Sequence, residues 1–186
     1  MAALIFFRKL LLCLVAAAFA APCIPADGVT ATEQQVKAVF VYNFSHFVDW
    51  PNTAFAADAD PFVIGVVGGD AFAVLLEDVV RGERVGDHPI QVRRFSASEA
   101  IGSVHILFVD RSGGAQLERA VAANGRGTLT VSDMDNATQH GAMIQLANIN
   151  NRIRLRINVE SARSAGLLLN SNLLRQAEIV RSGNRD

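Results

Sequence analysis

Between Pro61 and Ser132, short apolar runs alternate with segments of helical period, and such an alternation leaves few folds other than an α/β sheet. Pro61 to Val67 (PFVIGVV) is almost continuously apolar, the pattern of a strand covered on both faces. Asp70 to Val80 follows as a helix with Phe72, Leu75, Leu76 and Val79 on one side and Gly82 closing it. Pro89 to Phe95 alternates and reads as a second strand, and Val104 to Val109 as a third. Gly114 to Ala123 is a helix closed by Asn124-Gly125, and Thr128 to Ser132 is a fourth strand. Right-handed crossovers make these strands largely parallel.

The flanking segments complete the outline. Thr32 to Trp50 reads as a helix capped by Thr32 and stopped by Pro51, with Val36, Val39, Phe40, Phe44, Phe47 and Val48 at helical spacing. Ala142 to Ala147 and Arg152 to Val159 are strands joined through Asn148-Ile149-Asn150-Asn151, the turn of an antiparallel hairpin. Ser161 to Leu167 is helical up to Gly166. Asn170 or Ser171 caps a last helix through about Arg181 whose inner side is Leu173, Leu174, Ala177 and Val180. The expected fold is a single-domain α/β sandwich over residues 32–181. It has a mostly parallel central sheet of about six strands, helices on both faces and a C-terminal antiparallel hairpin. Residues 182–186 form a polar tail.

The N-terminus reads as an export signal over residues 1–20. Arg8 and Lys9 precede an apolar run of about ten residues, too short to span a bilayer, and Ala18 and Ala20 suit cleavage before Ala21. Cleavage after Ala26 is the alternative, and residues 21–31 form a flexible lead-in. The two cysteines, Cys13 and Cys23, lie in or beside this segment, and neither Leu12 nor Pro22 suits a lipid-anchor site. The folded domain therefore holds no disulfide and no thiolate metal site. Removing Arg8 and Lys9 leaves 15 basic residues against 18 acidic ones, a net charge of −3, which is not a nucleic-acid footprint. The expected product is a soluble periplasmic domain.

The site candidates are few, and none forms a catalytic constellation. Gly65 to Asp70 (GVVGGD) sits at a strand-to-helix turn where backbone amides could hold a phosphate, but the dinucleotide spacing is absent and Asp70 reads as an N-cap. His46, His88, His105 and His140 fall on separate elements without metal-ligand spacing, so no metal or other cofactor is expected. Ser112 and Ser132 lack a nucleophile-elbow context. Gly68, Asp110 and Asp133 each end a strand, where open α/β sheets collect ligands, and form the candidate small-molecule site. Arg152, Arg154 and Arg156 alternate with Ile153, Leu155 and Ile157, which puts three guanidinium groups on one strand face. That face is either the solvated side of a hairpin or a surface for an acidic partner. Leu167-Leu168-Leu169 cannot all be buried on one stripe, so at least one leucine faces outward. With Glu160, these residues make up the candidate partner surface.

Lys37-Ala38-Val39-Phe40-Val41-Tyr42-Asn43-Phe44, followed by Phe47-Val48-Asp49-Trp50-Pro51, resembles the opening signature of the YfiR family of periplasmic proteins. Leu129 to Asp133, Gly141 to Ile144, Arg152 to Asn158 and Leu173-Leu174 resemble its closing half. The resemblance implies a non-enzymatic repressor that binds the periplasmic sensor domain of an inner-membrane diguanylate cyclase and so controls cyclic di-GMP and biofilm formation. It further implies a homodimer and an outer-membrane lipoprotein that can sequester the repressor. The chain departs from the pattern in two places. It cannot form the disulfides of better-known members, and Ala142 follows Gly141 where a second glycine is common.

Export is directly measurable. N-terminal sequencing of the protein from its native host is expected to begin between Ala21 and Asp27, whereas a cytoplasmic product retaining Met1 would contradict the reading.

Overall fold

In the computed structural model, the described residues are 31–181 apart from 52, 53, 56, 58, 59, 97, 98, 124 and 125. The export signal, most of the lead-in, the Asn124-Gly125 helix stop and the polar tail lie outside them. The chain opens with helix α1, Glu33–Phe47. Thr32 caps it reciprocally. Gln35 N–H donates to Thr32 Oγ1 at 3.3 Å, and Thr32 N–H donates to Gln35 Oε1 at 2.8 Å. Strands β1 (Val48–Asp49) and β2 (Phe62–Val67) follow, then α2 (Asp70–Val79), β3 (Arg84–Val85), β4 (His88–Phe95) and β5 (Ile106–Val109). Next come α3 (Gly114–Ala123), β6 (Leu129–Ser132), β7 (Ile144–Ile149), β8 (Arg152–Ile157), α4 (Val159–Ser164), β9 (Leu168–Leu169), α5 (Ser171–Leu174) and β10 (Ala177–Ile179).

The main sheet has eight strands in the order β10-β8-β7-β6-β5-β2-β4-β3, and β1 and β9 form a separate two-stranded ribbon. Strands β4, β2, β5, β6 and β7 run parallel, and β8 returns antiparallel to β7. The mixed α/β sandwich with its C-terminal hairpin is therefore as expected, with eight strands in place of about six. The hairpin turn is tighter than the sequence suggested. Ile149 still pairs with Arg152, and only Asn150 and Asn151 turn the chain, at φ 52° and 59°, the left-handed pair that a two-residue hairpin turn demands.

The sheet separates two apolar layers. Ile64, Val66, Ile106, Phe108, Val131, Ile144 and Leu155 face α1 and α2, meeting Ala38, Val41, Phe44, Phe72 and Leu76. Val63, Val67, Leu107 and Val109 face the other way, onto Leu117 and Ala120 of α3. Helices thus cover both faces of the parallel half.

Four local expectations are corrected. Helix α1 stops at Phe47 instead of Trp50, because Val48 and Asp49 pair with Leu169 and Leu168 and the Trp50 indole N–H folds back onto the Ser45 carbonyl at 3.0 Å. Its buried face is Lys37, Ala38, Val41, Phe44 and Ser45, while Val39, expected inside, is 46% exposed. The segment after Ile157 turns helical at Val159, two residues earlier than expected, because the Asn158 side chain accepts from Ser161 N–H at 3.0 Å and caps α4. The expected helix to Arg181 is one turn only. Beyond it Ala177–Ile179 pair in parallel with Leu155–Ile157, since the open edge of β8 offers ladder bonds that a lone terminal helix would leave unmade.

Gly65 shows how tightly the centre is built. A Cβ there would lie 3.0 Å from the Phe95 ring, 3.1 Å from Val104 and 3.2 Å from Leu107, all buried. Gly65→Ala is expected to overpack the α3 side of the sheet and cost about 1–3 kcal/mol in urea unfolding; a neutral result would mean that this layer is loose.

Candidate functional site

The chemistry-bearing residues gather at the two ends of the sheet. At the C-terminal end of the parallel strands, β2 and β5 are neighbours whose connections leave in opposite directions, β2 toward β4 and β5 toward β6. That switch point opens a crevice. Gly68 and Gly69 line it at φ 73° and 62°, and a Cβ on Gly69 would sit 3.0 Å from the Asp110 carboxylate. The structure thus brings Gly68 and Asp110 together, as the ligand reading requires. Asp110 is engaged, however: its Oδ1 accepts from Ser112 N–H at 2.9 Å and from Ser112 Oγ at 2.6 Å. Asp70 is not the N-cap expected of it. Gly69 occupies that position without a side-chain bond, and Asp70 stands exposed in the first turn. The cleft, ≈ 400 Å³, also touches Arg94 and Gln116, and Arg94 is held by Glu77 at 2.8 Å.

Asp133 does not belong to that cleft. It is buried at the end of β6, where Oδ2 accepts from Lys37 Nζ at 2.6 Å and Oδ1 accepts from Arg111 N–H at 2.8 Å. Lys37 is itself 1% exposed and pairs also with Glu33 at 2.5 Å. Burial works against the Lys37 ammonium, but the hydrogen bonds to Asp133 and Glu33 outweigh it, and the amine pKa is raised. The same contact with Lys37 holds the Glu33 carboxyl below its ordinary value against partial burial, helped by the Asn148 amide at 2.6 Å. Sequence reasoning missed Lys37 as a structural charge. The available signal was its position, one before Ala38 and four before Val41, in phase with the buried face and not with the valine stripe.

Arg152, Arg154 and Arg156 do share a face, the one opposite Ile153, Leu155 and Ile157 of the α1-side layer. Across β7 and β10 they neighbour Ile149, Ala147, Gln145 and Glu178 by register. Arg156 Nε donates to Glu178 at 2.9 Å. Arg152 and Arg154 are exposed. Because Gln145 pairs with Ser132 at the end of β6, the hairpin continues four residues past the parallel strands, to Ile149.

Glu160 and the leucine run lie at the opposite end of the sheet, beyond the C-terminus of β8. Glu160 is exposed on α4, and Leu168 is 59% exposed on β9. Leu167 is removed from the partner surface: it is fully buried in the α1-side core, with Leu169 packed partly against it. The candidate surface is therefore two separate patches, a row of arginines on β8 and an exposed leucine on β9.

A family model described as YfiR/HmsC-like matches residues 34–178. No curated protein matches the chain.

The Lys37–Asp133 pair yields a stability prediction. Lys37→Met leaves a buried carboxylate without its cation and is expected to cost about 3–5 kcal/mol in urea unfolding. Adding Asp133→Asn, which keeps an acceptor for Arg111 N–H but drops the charge, should recover part of that loss. Since the amine pKa is raised in the fold, the pair's contribution is complete below the unfolded lysine value and is lost as pH rises through the folded one. Strictly additive single-mutant losses would contradict the coupling.

Proposed function

The chain belongs to the YfiR/HmsC-like family, and from that premise we propose that it binds and represses the periplasmic sensor domain of an inner-membrane diguanylate cyclase. The family is regulatory rather than catalytic and points to a regulator of diguanylate cyclase in general. The observation that carries the reading is the match over 145 residues, from α1 to β10, which spans both patches of the candidate surface. Export to the periplasm, a homodimer and sequestration by an outer-membrane lipoprotein belong to the same proposal.

The surface supports a protein partner. Arg152 and Arg154 are exposed with no acid at salt-bridge distance among the described residues, while Leu168 offers an aliphatic side chain to solvent beside Asp49 of β1. Arginine keeps its hydrogen-bonding fork when partly desolvated, and leucine gains from desolvation, so together they suit an acidic partner with an apolar spot. A second reading, a small ligand at the switch-point cleft, is favoured by the juxtaposition of Gly68 and Asp110, now without Asp133. The two are compatible, the ligand tuning repression.

Deleting the gene is expected to raise cyclic di-GMP and biofilm formation; unchanged levels would contradict the repressor role. In capture of the cyclase's periplasmic domain, Leu168→Asp is expected to weaken binding by about 2 kcal/mol or more. Arg154→Glu is expected to slow association, most at low salt. Full binding by both variants, with unaltered circular dichroism, would place the interface elsewhere.

A further inference from the structure

His105 lies immediately before β5, at the same end of the sheet as Leu168, and is 8% exposed. Its Nδ1 accepts from Val63 N–H at 3.0 Å, and its Nε2 lies 3.0 Å from the Ala54 carbonyl. With Nδ1 committed as an acceptor, Nε2 carries the hydrogen and donates, so the ring is the neutral imidazole. Aromatic rings enclose it. Phe62 stacks at 4.5 Å between centroids, Phe55 stacks at 4.7 Å, and Trp50 meets it edge-on at 5.9 Å. Phe55 in turn stacks on His88 at 3.6 Å, and His88 Nδ1 donates to the Asp60 carbonyl at 2.7 Å.

This stack ties Trp50, Ala54 and Phe55 to β2, β4 and β5. Trp50 directly follows β1, whose Val48 and Asp49 hold Leu169 and Leu168, and Asn170 N–H donates to the Phe47 carbonyl at 2.9 Å. Between the imidazole and the exposed leucine there is thus one indole and one two-residue ribbon. We infer that His105 is a proton-controlled clasp that holds the Leu168 end of the partner surface in shape, an inference that rests on the partner reading above.

A second proton on Nδ1 would turn an acceptor into a donor facing Val63 N–H. The hydrogen bond would be lost and a cation left among the three rings of Trp50, Phe55 and Phe62. Burial is the main force holding the ring neutral, and His88, on the other side of Phe55, opposes a second charge. Asp60 favours it. Arg126, which lines the adjoining ≈ 370 Å³ cleft with His105, is a further cation on that side. The strands β2 and β5 present only backbone and apolar groups to the ring. With the folded pKa below that of a free histidine, the clasp is whole above about pH 6.5 and opens as pH falls through the folded value.

Trp50 is the chain's only tryptophan, so its fluorescence reports on the clasp. The purified protein is titrated from pH 8 to pH 5, alongside His105→Asn, whose amide oxygen can still accept from Val63 N–H but cannot titrate, and His105→Gln as a second non-titrating variant. The wild-type emission is expected to change below about pH 6.5 and the variants to stay flat. His88→Asn should keep the transition and move its midpoint upward. Capture of the cyclase's periplasmic domain by wild type is expected to fall over the same pH range in which the Trp50 emission changes. Capture by His105→Asn should not fall. A flat wild-type titration, an unchanged transition in His105→Asn, or a titration without loss of capture overturns the inference. No capture at pH 7.5 overturns the partner reading instead, and the Trp50 titration, read on the protein alone, still decides whether the clasp exists.

Discussion

The buried pair of Lys37 and Asp133 sets the arrangement on which everything else depends. It fixes the N-terminal half of α1 over the ends of β5 and β6, where Arg111 N–H closes the second carboxylate oxygen. Glu33, held by the same lysine, reaches Asn148 and so ties the hairpin to the helix. Against a well-packed apolar pair, such an ion pair adds little net stability, because both charges leave water. What it does is specify. Either charge alone would be stranded, so α1 docks where both are answered, and its alanine, valine and phenylalanine positions then meet the sheet.

Docking α1 in that position leaves the sheet asymmetric. The parallel half, β4 to β6, is covered by α1 and α2 on one face and by α3 on the other. Toward the hairpin the α3-side residues turn polar in register, from Thr130 and Ser132 through Gln145 to Arg156 and Glu178. No described helix covers the arginines, and the antiparallel hairpin can leave one face to water. The same geometry places Leu168 at the far end of β8, braced through β1 by the Trp50 and His105 rings. The two ends of α1 thus supply a support for each patch, Glu33 to Asn148 at one end and Trp50 to Ser45 at the other.

Much of this was legible in the sequence, for reasons that can be stated residue by residue. The runs 62–67 and 106–109 are apolar throughout, and a strand buried on both faces has no other pattern to show. The alternation of arginine and aliphatic residues from Arg152 to Ile157 gave the face of β8 correctly. The phase of α1 was hidden because exposed Val39 continues the apolar spacing, whereas the buried face includes Lys37 and Ser45. Strand β10 was hidden because its partner, the edge of β8, is chosen by tertiary pairing and not by local propensity. Asp110 and Asp133 look alike in sequence, each ending a strand; one caps a turn at the cleft and the other is a buried counter-ion. Within Leu167-Leu168-Leu169 no period says which leucine is outside, and β1–β9 pairing decides it.

The central claim is that the partner surface includes the arginine row of β8 and the exposed Leu168 of β9. Hydrogen exchange of the protein with and without the cyclase's periplasmic domain tests it most directly, because it reads the footprint without any substitution. The account predicts slowed exchange over residues 152–157 and 166–169, with the outer face of α1 unchanged. Slowed exchange confined to α1 around Val36, Val39 and Phe40 would contradict it.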